Sequence, residues 1–216
     1  MKAIVTGGAG FIGSHLVEEL IQRGVDVHIL DISAEERVRI GTSRAVIHQV
    51  DIRHEKAKQI ILREKPDVIF HLAAQADVER SISNPAYDAD VNIVGTINVL
   101  EASLQASVQK VIFASTSGVY GNLQKDLITE EDLTEPISYY GLSKLSAESY
   151  IRLYGQLYDI PYTILRYGNV YGRRQLAKGE GGVIAVFLDR LKRGLPVTIY
   201  GDGKQVRDFI YIDDLI

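Results

Sequence analysis

The stretch TGGAGFIGSHL, Thr6 to Leu16, decides the fold. It follows a short β-branched run, AIVT, at once, and leads straight into an amphipathic segment from Phe11 to Arg23. Two glycine patterns overlap in it. Gly8, Gly10 and Gly13 satisfy G-x-G-x-x-G, and Gly7, Gly10 and Gly13 satisfy the wider G-x-x-G-x-x-G. In either reading the glycines permit a tight turn, close backbone approach to a pyrophosphate, and close helix–strand packing. The helix then turns free N–H groups and a positive dipole end toward the phosphates. A glycine pattern with a strand before it and a helix after it is a dinucleotide-binding signature rather than a chance loop. The expected contacts in this turn are Gly7, Gly10, Phe11, Ile12 and Gly13.

Outward from the turn, short apolar runs alternate with longer amphipathic ones. VDVHILD, AVIHQVD, PDVIFHLA, KVIFAS and PYTILRYGNV read as strands. KAKQIILREK, DADVNIVGTINVLEASLQAS and YYGLSKLSAESYIRLYGQLY read as helices. Strands alternating with helices imply crossover connections and a parallel sheet covered on both faces, and such strands are continuously apolar, as KVIFA and DVIFHLA are. The fold class is therefore α/β, a doubly wound parallel sheet of Rossmann type. Beyond Tyr171 the character changes. GRRQLAKGEGG reads as a mobile loop, VIAVFLDRLKRG as a helix with a glycine stop, and LPVTIYGDGKQ as a strand and turn. RDFIYIDDLI reads as a strand followed by a helix N-terminus with no body, the mark of a piece of a longer chain. The expected division is a nucleotide-binding domain over 1–170 and part of a smaller C-terminal substrate lobe over 171–216.

The bulk numbers narrow the function. The chain has 216 residues, 46% hydrophobic and 24% charged, as a soluble globular protein does. A net charge of −4 argues against a nucleic-acid binder, which needs a basic surface. With no cysteine, disulfides, thiolate zinc sites and cysteine nucleophiles are excluded, and no metal centre is expected. The composition fits a reducing, cytoplasmic compartment, and no apolar run reaches the length of a membrane span.

The second strand ends at Asp31, whose carboxylate can accept hydrogen bonds from a ribose diol and would repel a 2′-phosphate. NAD is favoured over NADP on that ground. Capping the loop into SAEER is the alternative role for Asp31. Asp51, with Ile52 beside it, ends the next strand, where it can meet the adenine amino group or serve only as a turn residue. HLAAQ, His71 to Gln75, ends another strand at the same edge. Small Ala73 and Ala74, after Leu72, let a cofactor pass close, and His71 is expected to be packed rather than catalytic.

Tyr140 and Lys144 lie four residues apart and so share a helix face. An ammonium and an oxidised nicotinamide ring both favour the phenolate, which makes a base matched to an alcohol proton. Chance Tyr-x-x-x-Lys pairs are common in a chain with 12 tyrosines, but here the pair follows a nucleotide cradle and a strand ending in hydroxyls. Tyr139 competes for the role, yet its partner four residues on is the uncharged Ser143. That strand is expected to end near Ala114, leaving Ser115, Thr116 and Ser117 at the ligand-binding edge. A plain Ser/Thr-rich loop would look the same locally.

TGGAGFIGSHL, DIR, HLAAQ, NIVGTINVLEA, FASTSGVYG, YYGLSK, LRYGNVYG and GDGKQVRDFIYIDD come in an order that resembles the extended short-chain dehydrogenase/reductases. The resemblance is narrower to the NAD-dependent epimerase/dehydratase group, and within it to the branch that epimerises UDP-hexoses at C4. It implies NAD as cofactor, with Tyr140 as base and Lys144 beside it. It places Thr116 in the role of the family's serine, with AST where members carry SSS, and Ser115 and Ser117 as lesser substitutes. It places nucleotide-sugar contacts at Asn169 and Arg207, the guanidinium on the diphosphate. An ion pair with Asp208 or Asp213 is the competing role for Arg207. The dehydratase branch carries an acidic pair after the threonine, where this chain has Ser117 and Gly118, so dehydration is disfavoured. UDP-glucuronate decarboxylases and reductases share most of the motifs, and some relatives of this fold only bind NAD. A homodimer paired through the NIVGTINVLEASLQAS and Tyr140 helices is also implied.

Overall fold

The computed structural model describes residues 1–33, 44–177, 181–199 and 201–216. Six strands form one parallel sheet: β1 Lys2–Thr6, β2 Asp26–Asp31, β3 Val46–Gln49, β4 Val68–His71, β5 Lys110–Thr116 and β6 Tyr162–Tyr167. Their order is β3-β2-β1-β4-β5-β6, so the chain reverses direction across the sheet between β1 and β4. In such sheets ligands bind at the carboxyl ends of the strands beside that reversal. The doubly wound α/β architecture expected from the sequence is the one observed.

The strand pleat sorts the core. Ala3 and Val5 of β1 pack with Val17 and Leu20 of helix α1, Phe11–Gln22, on one face of the sheet. Ile4, between them, points to the other face, with Ile60 and Ile61 of α2, Glu55–Glu64, and Val99 and Ala102 of α5, Gly95–Gln105. Alternate residues of one central strand thus supply two separate cores. A third cluster, Leu100, Phe113, Ala147 and Ile151, seats α6, Tyr139–Tyr158, on β5. The Ser138 hydroxyl starts α6 by accepting from the Gly141 amide at 3.1 Å.

Three expectations need correction. The helix expected over 88–107 is broken into α4, Pro85–Ala89, a π-helical turn, Asp90–Val94, and α5. It is preceded by a short α3, Val78–Ser83. Asn84 caps α4 through the Tyr87 amide at 3.1 Å, with Pro85 in the first turn, a start signal not used in reading the sequence. β5 runs on to Thr116 instead of ending near Ala114, because β6 pairs with it to the end, Ser115 opposite Arg166 and Thr116 opposite Tyr167. No strand forms over 195–199, where Leu195, Val197 and Ile199 are exposed and, among the described residues, no strand pairs with them. α7, Val183–Lys192, forms as expected, and the middle of the GRRQLAKGEGG loop, 178–180, lies outside the described residues. PYTILRYGNV divides at Gly168 into β6 and β7, Asn169–Tyr171. β7 pairs with β8, Phe209–Tyr211, which runs into the short α8, Ile212–Leu215. This second sheet joins residues on either side of position 170. Among the described residues no helix is long and apolar enough to cross a membrane.

One charged network ties the far half of the sheet to its helix. Glu148 of α6 is fully buried. It accepts from Arg166 Nε at 2.9 Å and Nη2 at 2.7 Å, from Ser115 Oγ at 2.6 Å and from Arg152 Nη2 at 3.0 Å. Arg166 Nη1 donates to the Tyr120 hydroxyl at 2.9 Å. Removing one partner of a buried pair leaves the other charge uncompensated. Glu148→Ala is therefore expected to lower the unfolding free energy by about 3–5 kcal/mol, read as a fall in the urea midpoint.

Candidate active site

The glycine turn sits at the reversal point of the sheet. Gly7 has φ +70, a conformation that suits glycine, and a Cβ on it would lie 2.7 Å from the Ala73 nitrogen. A Cβ on Gly13 would fall 2.8 Å from the Gly8 Cα. The turn therefore tolerates no side chain at either position, and the start of α1 stays against β1. Gly10 caps α1, and among the described residues no side chain makes a capping hydrogen bond to the helix N-terminus. Phe11 and Ile12 follow, half-buried. A cradle that any Cβ would fill, backed by a helix N-terminus, fits a pyrophosphate.

Asp31 holds this turn. One carboxylate oxygen accepts from the Ala9 amide at 3.0 Å and the other from the Ser33 amide at 2.9 Å. The capping role is thus observed, and since each carboxylate oxygen can accept twice, these two bonds leave Asp31 capacity for further donors. Asp51 is clamped by Arg53, with Nη2 at 2.6 Å and Nε at 3.0 Å, and these bonds hold its carboxyl below the usual range. Arg53 also reaches Asp90 at 2.6 Å. Ile52 is buried under Gly95, and its carbonyl accepts from Asn98 Nδ2 at 2.6 Å. The Ile52 side chain therefore belongs to the core rather than to the open edge.

The HLAA segment closes the other side of the turn. The Leu72 amide donates to the Thr6 carbonyl at 3.1 Å and the Ala73 amide to Thr6 Oγ1 at 3.2 Å, with Ala74 following at the sheet edge. His71 is 1% exposed and lies between Thr6 Oγ1, 2.7 Å from Nδ1, and Thr96 Oγ1, 3.0 Å from Nε2. Thr96 spends its own proton on the Asn92 carbonyl at 2.6 Å, so Nε2 carries the hydrogen and Nδ1 accepts from Thr6. Burial, with Lys144 adding to it, pushes the imidazole down to about 3. His71 is a packed, neutral histidine.

Lys144 is 2% exposed, and its ammonium lies 4.0 Å from the centre of the Phe113 ring. Burial pushes it down to about 7, while Glu148 and Asp88 pull in the opposite direction. Tyr140 is half-buried one turn earlier on α6. Thr116 ends β5, and its Oγ1 accepts from the Gly118 amide at 3.1 Å. Ser115, expected at the edge, instead turns its hydroxyl inward and donates to Glu148. Ser117 and Tyr139 are exposed. Tyr140, Lys144 and Thr116 thus belong to adjoining elements, α6 and the end of β5.

Asn169 and Arg207 lie on the small sheet and the segment entering it. Asn169 donates to the Asp208 carbonyl from its backbone at 2.9 Å and from its side chain at 3.0 Å. Arg207 is exposed and donates to the Val206 carbonyl at 2.7 Å. Asp213 pairs with Arg173 at 3.0 Å rather than with Arg207.

A buried polar cluster beside Lys144 went unread in the sequence. Asp88 and Asn92 are both buried. Gln75 Nε2 donates to Asp88 Oδ1 at 2.8 Å, and Asn92 Nδ2 donates to Ser143 Oγ at 3.0 Å. The available signal was a pair of polar residues four apart on a segment otherwise read as apolar. Elsewhere, His28, His48 and Glu64 bring ligand atoms within 4.8 Å of one another, but Lys2 at 3.2 Å and Arg63 at 2.7 Å already neutralise that carboxylate.

The fold and the turn define a dinucleotide-binding α/β protein. Residues 3–216 match the model of the NAD dependent epimerase/dehydratase family. A putative UDP-glucose 4-epimerase of Methanocaldococcus jannaschii is 45% identical over 213 residues, 98% of this chain and 70% of that protein. The crystal structure of a Thermotoga maritima UDP-glucose 4-epimerase with UDP-glucose superposes with TM-score 0.94 at 44% identity, over 100% of this chain and 71% of that one. A Thermus thermophilus UDP-glucose 4-epimerase in complex with NAD gives TM-score 0.93 at 43% identity, over 100% and 72%. The chain belongs to the NAD-dependent epimerase/dehydratase family, within the extended short-chain dehydrogenase/reductases, and it is an enzyme whose cofactor is NAD.

Two outcomes test the site. Gly13→Ala is expected to weaken NAD binding by at least about tenfold, roughly 1.4 kcal/mol, measured by calorimetry. His71 stays neutral in the folded state, whereas the unfolded chain takes up a proton below about pH 6.5. Its contribution to stability therefore falls as pH drops from about 6.5 toward 3, by up to about 1.4 kcal/mol per pH unit. His71→Gln should flatten that part of the urea-midpoint profile.

Proposed function

We propose that the protein interconverts the C4 epimers of a UDP-hexose, UDP-glucose and UDP-galactose being the substrate pair. One observation carries this reading: Tyr140 stands one helical turn before a buried Lys144, on the helix seated against the strand that Thr116 ends. The Gly7–Gly13 turn, Asp31 and the Leu72–Ala74 segment would hold NAD, with Asp51 at the adenine end. When bound, NAD supplies the hydride acceptor, and then the donor, at C4 of the sugar.

The chain's own groups handle the proton and the positioning. Tyr140, as phenolate, takes the 4-hydroxyl proton as the sugar is oxidised to the 4-ketone and gives it back on reduction. Lys144 favours that phenolate by its charge. The Thr116 hydroxyl donates to the sugar oxygen. Arg207 meets the diphosphate, for which a forked guanidinium is suited, and Asn169 holds the adjoining strand and the nucleotide sugar. After oxidation the 4-keto sugar turns over in the pocket, so reduction from the opposite face gives the epimer. No carboxylate follows Thr116, since Ser117 and Gly118 stand there, which disfavours loss of water.

Two copies are proposed to pair through α5 and α6. Leu153 and Leu157 of α6 and Leu104 of α5 leave an apolar face uncovered. Light scattering should give twice the chain mass, and Leu153→Arg should reduce it to one.

Incubation of the full-length protein with UDP-galactose is expected to yield UDP-glucose without added reductant and without net change in reduced-nicotinamide absorbance. Net absorbance change would mark a dehydrogenase or reductase, and carbon dioxide release from UDP-glucuronate a decarboxylase. Tyr140→Phe is expected to lower kcat by about 10²–10⁴ with NAD still bound. Unchanged turnover in that variant would reject Tyr140 as base.

A further inference from the structure

Two buried carboxylates act on Lys144, and they differ in their company: Glu148 stands four residues on along α6, and Asp88 lies on α4, which packs against α6. Glu148 shares its charge with Arg166 and Arg152 and accepts from Ser115 as well. Asp88, 1% exposed, meets only neutral amides: Gln75 Nε2 at 2.8 Å and Asn92 Nδ2 at 3.3 Å, both on Oδ1. Its other oxygen, Oδ2, is buried and has no hydrogen-bond partner. An unsatisfied buried carboxylate oxygen is costly, and its persistence calls for a compensating charge. Asn92 links Asp88 to α6 at Ser143, the residue before Lys144. The other charged groups of the surrounding elements are engaged or solvated. Asp90 pairs with Arg53, Arg80 lies over the Tyr87 ring, and Asp77 caps α3. Glu79 is exposed, and His71 is neutral.

We propose that Asp88 is a positioning residue for the reaction: its carboxylate, shared with no guanidinium, supplies the negative charge that keeps Lys144 an ammonium one turn from Tyr140. Burial alone favours the neutral amine, and a neutral amine would give the Tyr140 phenolate no support. Glu148 acts in the same direction, but its charge is already divided between two guanidiniums. Asp88 therefore extends the working range of the site toward alkaline pH. This rests on the proposed roles of Tyr140 and Lys144.

The test uses the full chain, with ε-13C-labelled lysine and the Lys144 resonance assigned by its loss in Lys144→Met. Asp88→Asn keeps an oxygen for the Gln75 and Asn92 amides and removes only the charge. The Lys144 midpoint is expected to fall by about one pH unit in this variant. The alkaline limb of kcat with UDP-galactose should move down by the same amount, with KM little changed. Asp88→Ser, a second neutral and smaller replacement, should do likewise and decides the matter if the Asn variant does not fold. Asp88→Glu should restore the limb. An unmoved midpoint, or a kcat lowered equally at every pH, would overturn the proposal. The resonance needs no turnover, so a wild type that fails to epimerise while the midpoint still shifts would reject the substrate reading and leave Asp88 its role.

Discussion

A positive charge taken out of water governs how the far half of the molecule is built. Lys144 lies between α6 and β5 with its ammonium on the Phe113 ring, and low-dielectric surroundings favour its neutral form. Everything around it can be read as an answer to that cost. Glu148 and Asp88 bring opposite charge, and Gln75 and Asn92 orient one of these carboxylates without neutralising it, Asn92 also donating to Ser143. The aromatic face adds a smaller attraction. A solvated lysine would need none of this, but it would influence a neighbouring phenol much less, because water screens it.

The other half of the sheet obeys a steric constraint instead. Gly7 brings the backbone of the first turn against Ala73, so the two segments that follow β1 and β4 pack across the point where the chain reverses. Asp31 reaches back from β2 to the Ala9 amide and fixes the same turn from the opposite side. Three strand ends thus converge on one loop, and a single methyl group at Gly13 would push them apart.

Much of this was legible in the sequence because it is local. The glycine spacing, the apolar strand runs and the four-residue step from Tyr140 to Lys144 each concern a short window, and the structure places them on the expected elements. What escaped is long-range. Nothing near Glu148 announces Arg166, because the partners meet only when β6 pairs with β5. Ser115 and Thr116 look alike in sequence, and the pleat alone sends one hydroxyl inward and leaves the other at the edge. The segment 88–107 has helical periodicity throughout, so its division by a π turn follows from packing rather than from propensity. Strand propensity at 195–199 likewise counted for little without a neighbour to pair with.

The π turn at Asp90–Val94 carries a consequence for how the family's chains can vary. One residue advances an α-helix by about 100°. Asn92, inside the wide turn, faces Gln75 and Ser143, while Thr96, four positions on, faces His71. Deleting a residue between them would rotate one of these two side chains by about 100° relative to the other and away from its partner. Length in this segment is therefore under tighter constraint than composition, and substitutions should be far better tolerated here than insertions or deletions.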